Sequence, residues 1–220
     1  EAIMKVSFPT FSRLQDRPDI LKNSIEKSVY FIALFSFPTL AGISLVAPDF
    51  INIIPKYTKW SPAIIPLYFY AANAAIAAVT TPLTNAFNAV GKITLTTRLM
   101  LMWTALTWIF YPLLSSRYGY IGTAVAALIV GSSSFVVWLI VHKLFKANVL
   151  KAVSRPLLGT IIMILLLLPL SQTTFSPLQK IITKIFLGST SYLLFIIMFS
   201  KNDLFWFTSQ LKQLRGYSQR

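Results

Sequence analysis

The chain has no cysteine, one histidine and six acidic residues in 220 positions. Without cysteine there is no disulfide and no thiolate metal site, although this does not identify a compartment. The acidic residues, Glu1, Asp16, Asp19, Glu26, Asp49 and Asp203, are scattered and do not pair at the mouth of a recognisable pocket. His142 stands alone among lysines at the end of an apolar run, where it is expected to be solvated. A metal site needs several ligands and a nucleophile needs a nearby base. Neither constellation is present, and there is no glycine-rich phosphate loop. The composition therefore speaks against catalysis, a bound metal and a cofactor.

Long apolar runs and positive charge dominate what is there. Hydrophobic residues make up 55% of the chain and the net charge is +14. A helix needs about 20 apolar residues to cross a bilayer, and six stretches meet that length: Val29 to Pro48, Pro62 to Val90, Leu95 to Ser115, Tyr120 to Val141, Pro156 to Gln172, and Leu178 to Ser200. None contains an acidic residue, and basic ones occur only near the ends. Uninterrupted runs of this kind satisfy their backbone groups as helices, so the expected fold is an all-α transmembrane bundle of about six spans.

The lysines and arginines fall in alternate gaps. Lys5, Arg13, Arg17, Lys22 and Lys27 precede the first span; Lys92 and Arg98 follow the second; Lys143, Lys146, Lys151 and Arg155 follow the fourth; Lys201, Lys212, Arg215 and Arg220 end the chain. That places fifteen of the twenty on one side, leaving Lys56, Lys59, Arg117, Lys180 and Lys184 for the other. Cytoplasmic loops are enriched in Lys and Arg, which predicts that both ends are cytoplasmic. Nucleic-acid binding would need a basic patch on a soluble domain, and the gaps are too short to hold one. The partner implied is the bilayer, with attraction to anionic headgroups as a second effect.

Residues 1–28 read as the end of a preceding span, Ala2 to Phe11, followed by a cytoplasmic amphipathic connector from Gln15 to Ser28 with Asp19 as its N-cap. Residues 29–200 form the six-helix domain, and residues 201–220 an amphipathic tail. The opening on Glu1 within an apolar stretch predicts that this is the C-terminal part of a longer protein, and no signal peptide is visible.

Polar and helix-bending residues inside the spans are the functional candidates. Pro38 and Pro82 each remove an intrahelical hydrogen bond, giving either static kinks or points where a helix bends between states. Asn73, Thr81, Asn85 and Asn88 fall within an arc of roughly 120° on the second span. Such a face looks either at other helices, as hydrogen-bonding glue, or at a hydrophilic cavity. Small residues surround it and permit close approach. Gly131, Ser132, Ser133 and Ser134 in the fourth span predict tight packing. Arg98 and Lys184, near span ends, are expected to snorkel to the headgroups, and Arg98 is also a substrate-path candidate.

The motifs then carry a resemblance. They are Phe8-Pro9-Thr10-Phe11-Ser12 before the connector, Ala47-Pro48-Asp49-Phe50-Ile51-Asn52-Ile53-Ile54 leading to Trp60-Ser61-Pro62-Ala63, Asn85-Ala86-Phe87-Asn88-Ala89-Val90-Gly91-Lys92, and Tyr118-Gly119-Tyr120-Ile121-Gly122-Thr123-Ala124. In this order and spacing they resemble the polysaccharide or oligosaccharide flippases of the O-antigen type. That superfamily also contains multidrug and toxin extruders (MATE) and lipid II flippases. The chain departs from the family at Pro55-Lys56-Tyr57, where a glycine is common.

The resemblance implies the C-terminal lobe of a two-lobed MATE-like transporter in the plasma (inner) membrane. Its partners would be the missing N-terminal lobe and a lipid-linked oligosaccharide, moved outward by alternating access for polysaccharide or lipopolysaccharide biosynthesis. The alternatives are a multidrug or cation antiporter, which usually wants an intramembrane carboxylate, an integral-membrane enzyme of glycan assembly, and a structural membrane subunit.

Overall fold

The computed structural model describes residues 11–12 and 17–199, all helix or connecting turn with no strand among them. The tail, the preceding apolar segment and part of the Phe8–Ser12 motif lie outside the described residues.

Helix α1, Pro18–Ile53, runs without interruption through what the sequence divides into a connector and a span. The reason is a stripe that does not stop at residue 28: Leu21, Ile25, Val29 and Ala33 recur every four positions and all are buried. Its first helical residue is Pro18, which needs no hydrogen-bond acceptor at that position, so the cap falls on Arg17. Asp19 sits in the first turn, where its charge favours the helix dipole, and is not the cap. At about 1.5 Å per residue the 36-residue helix is about 54 Å long, well beyond the ~30 Å hydrocarbon layer. It also passes Pro48, which brings Asp49 into a span expected to end before it.

A 3-10 segment, Pro55–Ala63, leads to α2, Ile64–Ala89, and so absorbs the surplus length of the apolar run beginning at Trp60. α2 ends in a Schellman turn. Gly91 takes φ 75°, the Lys92 amide donates to the Phe87 carbonyl at 2.8 Å, and the Gly91 amide to Asn88 at 3.1 Å.

Ile93–Ser132, α3, is broken at Gly119, whose φ of 58° and ψ of −139° are not helical. The chain reverses there: a side chain at Gly122 would collide with the Leu114 carbonyl, eight residues back, a separation of about 12 Å in a straight helix. After a turn at Ser133 and Ser134 the returning limb continues as α4, Phe135–Phe145. Among the described residues, five helical segments are long and apolar enough to cross a membrane, and one of them, Ile93–Phe145, spans 53 residues. Folded at Gly119, this segment holds two of the six apolar runs read from the sequence, Leu95 to Ser115 and Tyr120 to Val141. His142 is exposed near the end of α4, its Nδ1 3.3 Å from the Ala147 carbonyl.

Helix α5, Val149–Leu167, starts seven residues before the predicted span because it is doubly anchored. The Asn148 Oδ1 accepts from the Lys151 amide at 3.0 Å, while the Asn148 amide donates to Glu26 at 2.7 Å. A short 3-10 turn, Leu168–Gln172, precedes α6, Pro177–Phe199. α1 is the shared wall of two cores. One packs Leu21, Ile25 and Val29 against Leu83 and Phe87 of α2 and Val137 and Val141 of α4. The other packs Phe31 and Leu34 against Met163 and Leu167 of α5 and Tyr192 and Ile196 of α6. Large apolar side chains such as Trp108, Phe186 and Met198 cover the outside, as a hydrocarbon solvent requires.

Candidate translocation site

The polar face of α2 is divided by its neighbours. Asn73 and Thr81, together with Thr80 and Thr84, line a groove of about 260 Å3 whose far side is Trp103 and Tyr111 of one limb of α3 and Gly131 and Ser134 from the returning limb and its turn. Residues 103 and 134 share one groove only because Gly119 folds the two limbs together. Gly131 is what lets the limbs approach α2, since a side chain there would collide with the Asn73 amide oxygen. Asn85 and Asn88, nearer the Schellman turn, are half-buried and do not line the groove, and Arg98 is exposed on the first turns of α3.

The hydrogen bonds give the groove its chemistry. Thr80, Thr81 and Thr84 donate to the carbonyls of Ile76, Ala77 and Thr81 at 2.9, 2.7 and 2.9 Å. With their protons engaged by the helix, these hydroxyl oxygens keep acceptor lone pairs. The Trp103 Nε1 is enclosed by protein and has no hydrogen-bond partner among the described residues. The groove thus combines an amide, hydroxyl acceptors and two aromatic rings, a set suited to a neutral, hydroxyl-rich guest. Asn88 Oδ1 is likewise buried without a partner, but at the basic end of α2.

A second polar pair lies between α1 and α6. Lys184 Nζ donates to Asp49 Oδ2 at 2.6 Å and to the Leu45 carbonyl at 2.9 Å. Both residues are buried, at 4% and 8% exposure. Lys184 therefore does not snorkel, and the spans do contain an acidic residue. Snorkelling requires an open path to the headgroups; here α1 offers a carboxylate and a carbonyl closer than water. The signal was in the sequence, because a lone lysine and a lone aspartate in apolar surroundings are each costly unless they find each other.

Below this pair, α1 and α6 flank an apolar groove of about 660 Å3 lined by Pro38, Gly42 and Gly188 among others. α1 continues through Pro38, and Pro82 is fully buried inside a continuous α2.

Comparison with known proteins now adds to this geometry. Residues 1–65 match the family described as polysaccharide biosynthesis protein. An uncharacterized membrane protein in the cps region of Klebsiella pneumoniae is 28% identical over 96 residues, which is 44% of this chain and 20% of that protein. The solved structure of the lipid II flippase MurJ, in an inward closed conformation, superposes with a TM-score of 0.75 at 17% identity, covering 90% of this chain and 43% of MurJ. The fold is MurJ-like, all-helical and multi-pass in the membrane. The chain covers less than half the length of each of these two proteins.

Proposed function

We propose that this chain is one lobe of a flippase that carries a lipid-linked oligosaccharide across the plasma (inner) membrane by alternating access, with both chain ends cytoplasmic. The observation that carries the reading is the polar groove at Asn73 and Thr81, set within membrane spans of a flippase-like fold. A sugar chain cannot cross hydrocarbon unassisted, and a cavity wall with hydroxyl acceptors and an amide lowers that barrier. Asn85, Asn88 and Arg98 would then support the path at the basic end, while Pro38 and Pro82 mark where the lobe could bend. The alternation of basic residues supports the orientation. The missing lobe would supply the opposite wall.

In the full-length protein, Asn73→Leu combined with Thr81→Val should abolish surface glycan while leaving membrane insertion intact, and lipid-linked oligosaccharide should accumulate at the inner leaflet. Normal export by a variant present at wild-type level overturns the assignment. The same experiment on Asn85→Leu with Asn88→Leu asks whether the path extends along α2. For the antiporter alternative, Asp49 is the intramembrane carboxylate such a mechanism wants. It is engaged by Lys184, so drug or cation coupling through this lobe would require that pair to open.

A further inference from the structure

We propose that a pocket at the Lys59 end of α2 binds a sugar ring and continues the groove at Asn73; assigning that ring to the transported glycan rests on the transport reading above. The pocket holds about 390 Å3, within the ordinary range of small-molecule sites. Its rings come from three elements: Trp60 from the 3-10 segment, Tyr70 from α2, and Tyr120 from the limb of α3 that follows the Gly119 turn. All three are open to contact, at 57%, 42% and 57% exposure. Lys59 is the one charged residue of the lining, and its Nζ lies 5.8 Å from the centre of the Trp60 ring.

Register ties this pocket to the groove. On α2, Pro66 and Tyr70 line the pocket, and Asn73, Ala77, Thr80 and Thr84 line the groove. On the α3 limb, Tyr120 and Thr123 line the pocket, and Ala127, Val130 and Gly131 line the groove. Steps of three and four residues keep each set on one helix face. The rise is about 4.5 Å from Tyr70 to Asn73 and about 6 Å from Thr123 to Ala127, so pocket and groove are neighbours along one seam. The polar atoms suit a hydroxylated guest. Tyr70 donates to Thr123 Oγ1 at 3.3 Å, and Thr123 donates to the Tyr120 carbonyl at 2.7 Å, which leaves acceptor lone pairs on the Tyr70 oxygen. The Tyr120 hydroxyl and the Lys59 ammonium have no hydrogen-bond partner among the described residues, and both can donate. A pyranose offers C–H faces to electron-rich ring faces and hydroxyls at its rim. An interfacial aromatic belt needs only rings at headgroup level. It does not call for rings of three elements around a cavity that extends a polar groove.

The test uses the full-length protein in detergent and, as probe, the oligosaccharide released by mild acid from the cell's own lipid carrier. Saturation-transfer difference NMR, with irradiation of the protein's aromatic protons, reads which sugar protons lie against rings. Transfer to the sugar's C–H protons is expected, with none to sorbitol, which carries hydroxyls but no ring. Trp60→Ala with Tyr120→Ala should weaken binding about tenfold, at roughly one aromatic contact each. Trp108→Ala with Tyr118→Ala, which removes as many exposed aromatic rings from outside the pocket, should change it by less than about twofold. Equal losses in the two pairs would overturn the pocket in favour of a general aromatic belt, and unchanged binding in both would overturn it outright. Phosphatidylglycerol lost from the first pair, with no transfer to the oligosaccharide in the unaltered protein, would overturn the sugar in favour of a lipid headgroup. If the double variant does not accumulate, Trp60→Ala and Tyr120→Ala carry the same comparison singly, with about threefold expected from each. Export by the Asn73 and Thr81 variant is read separately. Normal export there overturns the transport reading and leaves sugar binding at Trp60 standing, whereas binding indifferent to Trp60 and Tyr120 overturns the pocket and leaves the groove standing.

Discussion

Two polar constellations sit within the spans of this molecule, and they resolve the same problem in opposite ways. Between α1 and α6, Asp49 and Lys184 neutralise each other at 2.6 Å and leave almost no surface. Between α2 and the folded α3, Asn73 and the threonines leave an amide and hydroxyl lone pairs on the wall of an open groove. Both are expensive in hydrocarbon. The first cost is offset inside the protein, which makes it architecture. The second keeps acceptors open to the groove, which makes it a candidate for function. The comparison predicts that damage at the pair appears as lost stability and damage at the groove as lost transport.

The largest effect should follow from separating the pair. Lys184→Met strands the Asp49 carboxylate among apolar neighbours and should destabilise the protein by about 3–5 kcal/mol, the usual cost of a buried charge left alone. The thermal midpoint of detergent-solubilised protein, followed by fluorescence-detected size exclusion, reads this directly. Adding Asp49→Asn should recover most of the loss, because a neutral amide beside methionine no longer buries a charge. If the double variant is no more stable than the single one, the pair is not the compensated unit described here. Gly122→Ala comes next. Its methyl meets the Leu114 backbone, which cannot rotate away as a side chain could, so the hairpin must open. A loss of about 1–3 kcal/mol is expected, as in other overpacked contacts, measured by the same midpoint.

These residues also show what sequence can and cannot supply. The apolar runs make the all-helical membrane fold legible, including the two runs that the helix folded at Gly119 joins into one segment, because membrane spans are dictated by length and hydropathy. Helix ends were less legible. α1 was divided at residue 28 since charged residues interrupt the composition there, yet Leu21 and Ile25 keep the helical period of the span. The polar face of α2 was visible as a periodicity. Which part of it meets a groove depends on where Gly119 turns the chain, and that is tertiary. Lys184 was misread because its partner lies 135 positions away. Local reasoning assigns a long cation near a span end to the headgroups, and only packing shows that α1 arrives first.

A smaller effect tests the start of α5. Asn148→Ala removes the acceptor for the Lys151 amide, and an N-cap of this kind contributes about 1 kcal/mol. The thermal midpoint should fall modestly, with no change in export, because neither the groove nor the ion pair is touched. Hydrogen exchange at residues 149–152 should rise in the same variant. Unchanged exchange there would mean that the Glu26 contact alone holds the helix end.

The smallest stability effect, and the sharpest division between the two constellations, belongs to Gly131→Ala. Like Gly122, this glycine has no room for a methyl, but the atom it would strike is the Asn73 amide oxygen, the far end of a side chain that can rotate. The fold should therefore yield little, by less than about 1 kcal/mol, comparable to losing one interhelical hydrogen bond in a membrane. The groove should not be so tolerant, because rotating Asn73 takes the amide out of the place it holds in the groove wall beside Gly131. Surface glycan should fall sharply at a nearly unchanged thermal midpoint. A variant that exports normally with Asn73 displaced would reduce the amide to interhelical glue, and the groove would then join the Asp49–Lys184 pair as architecture.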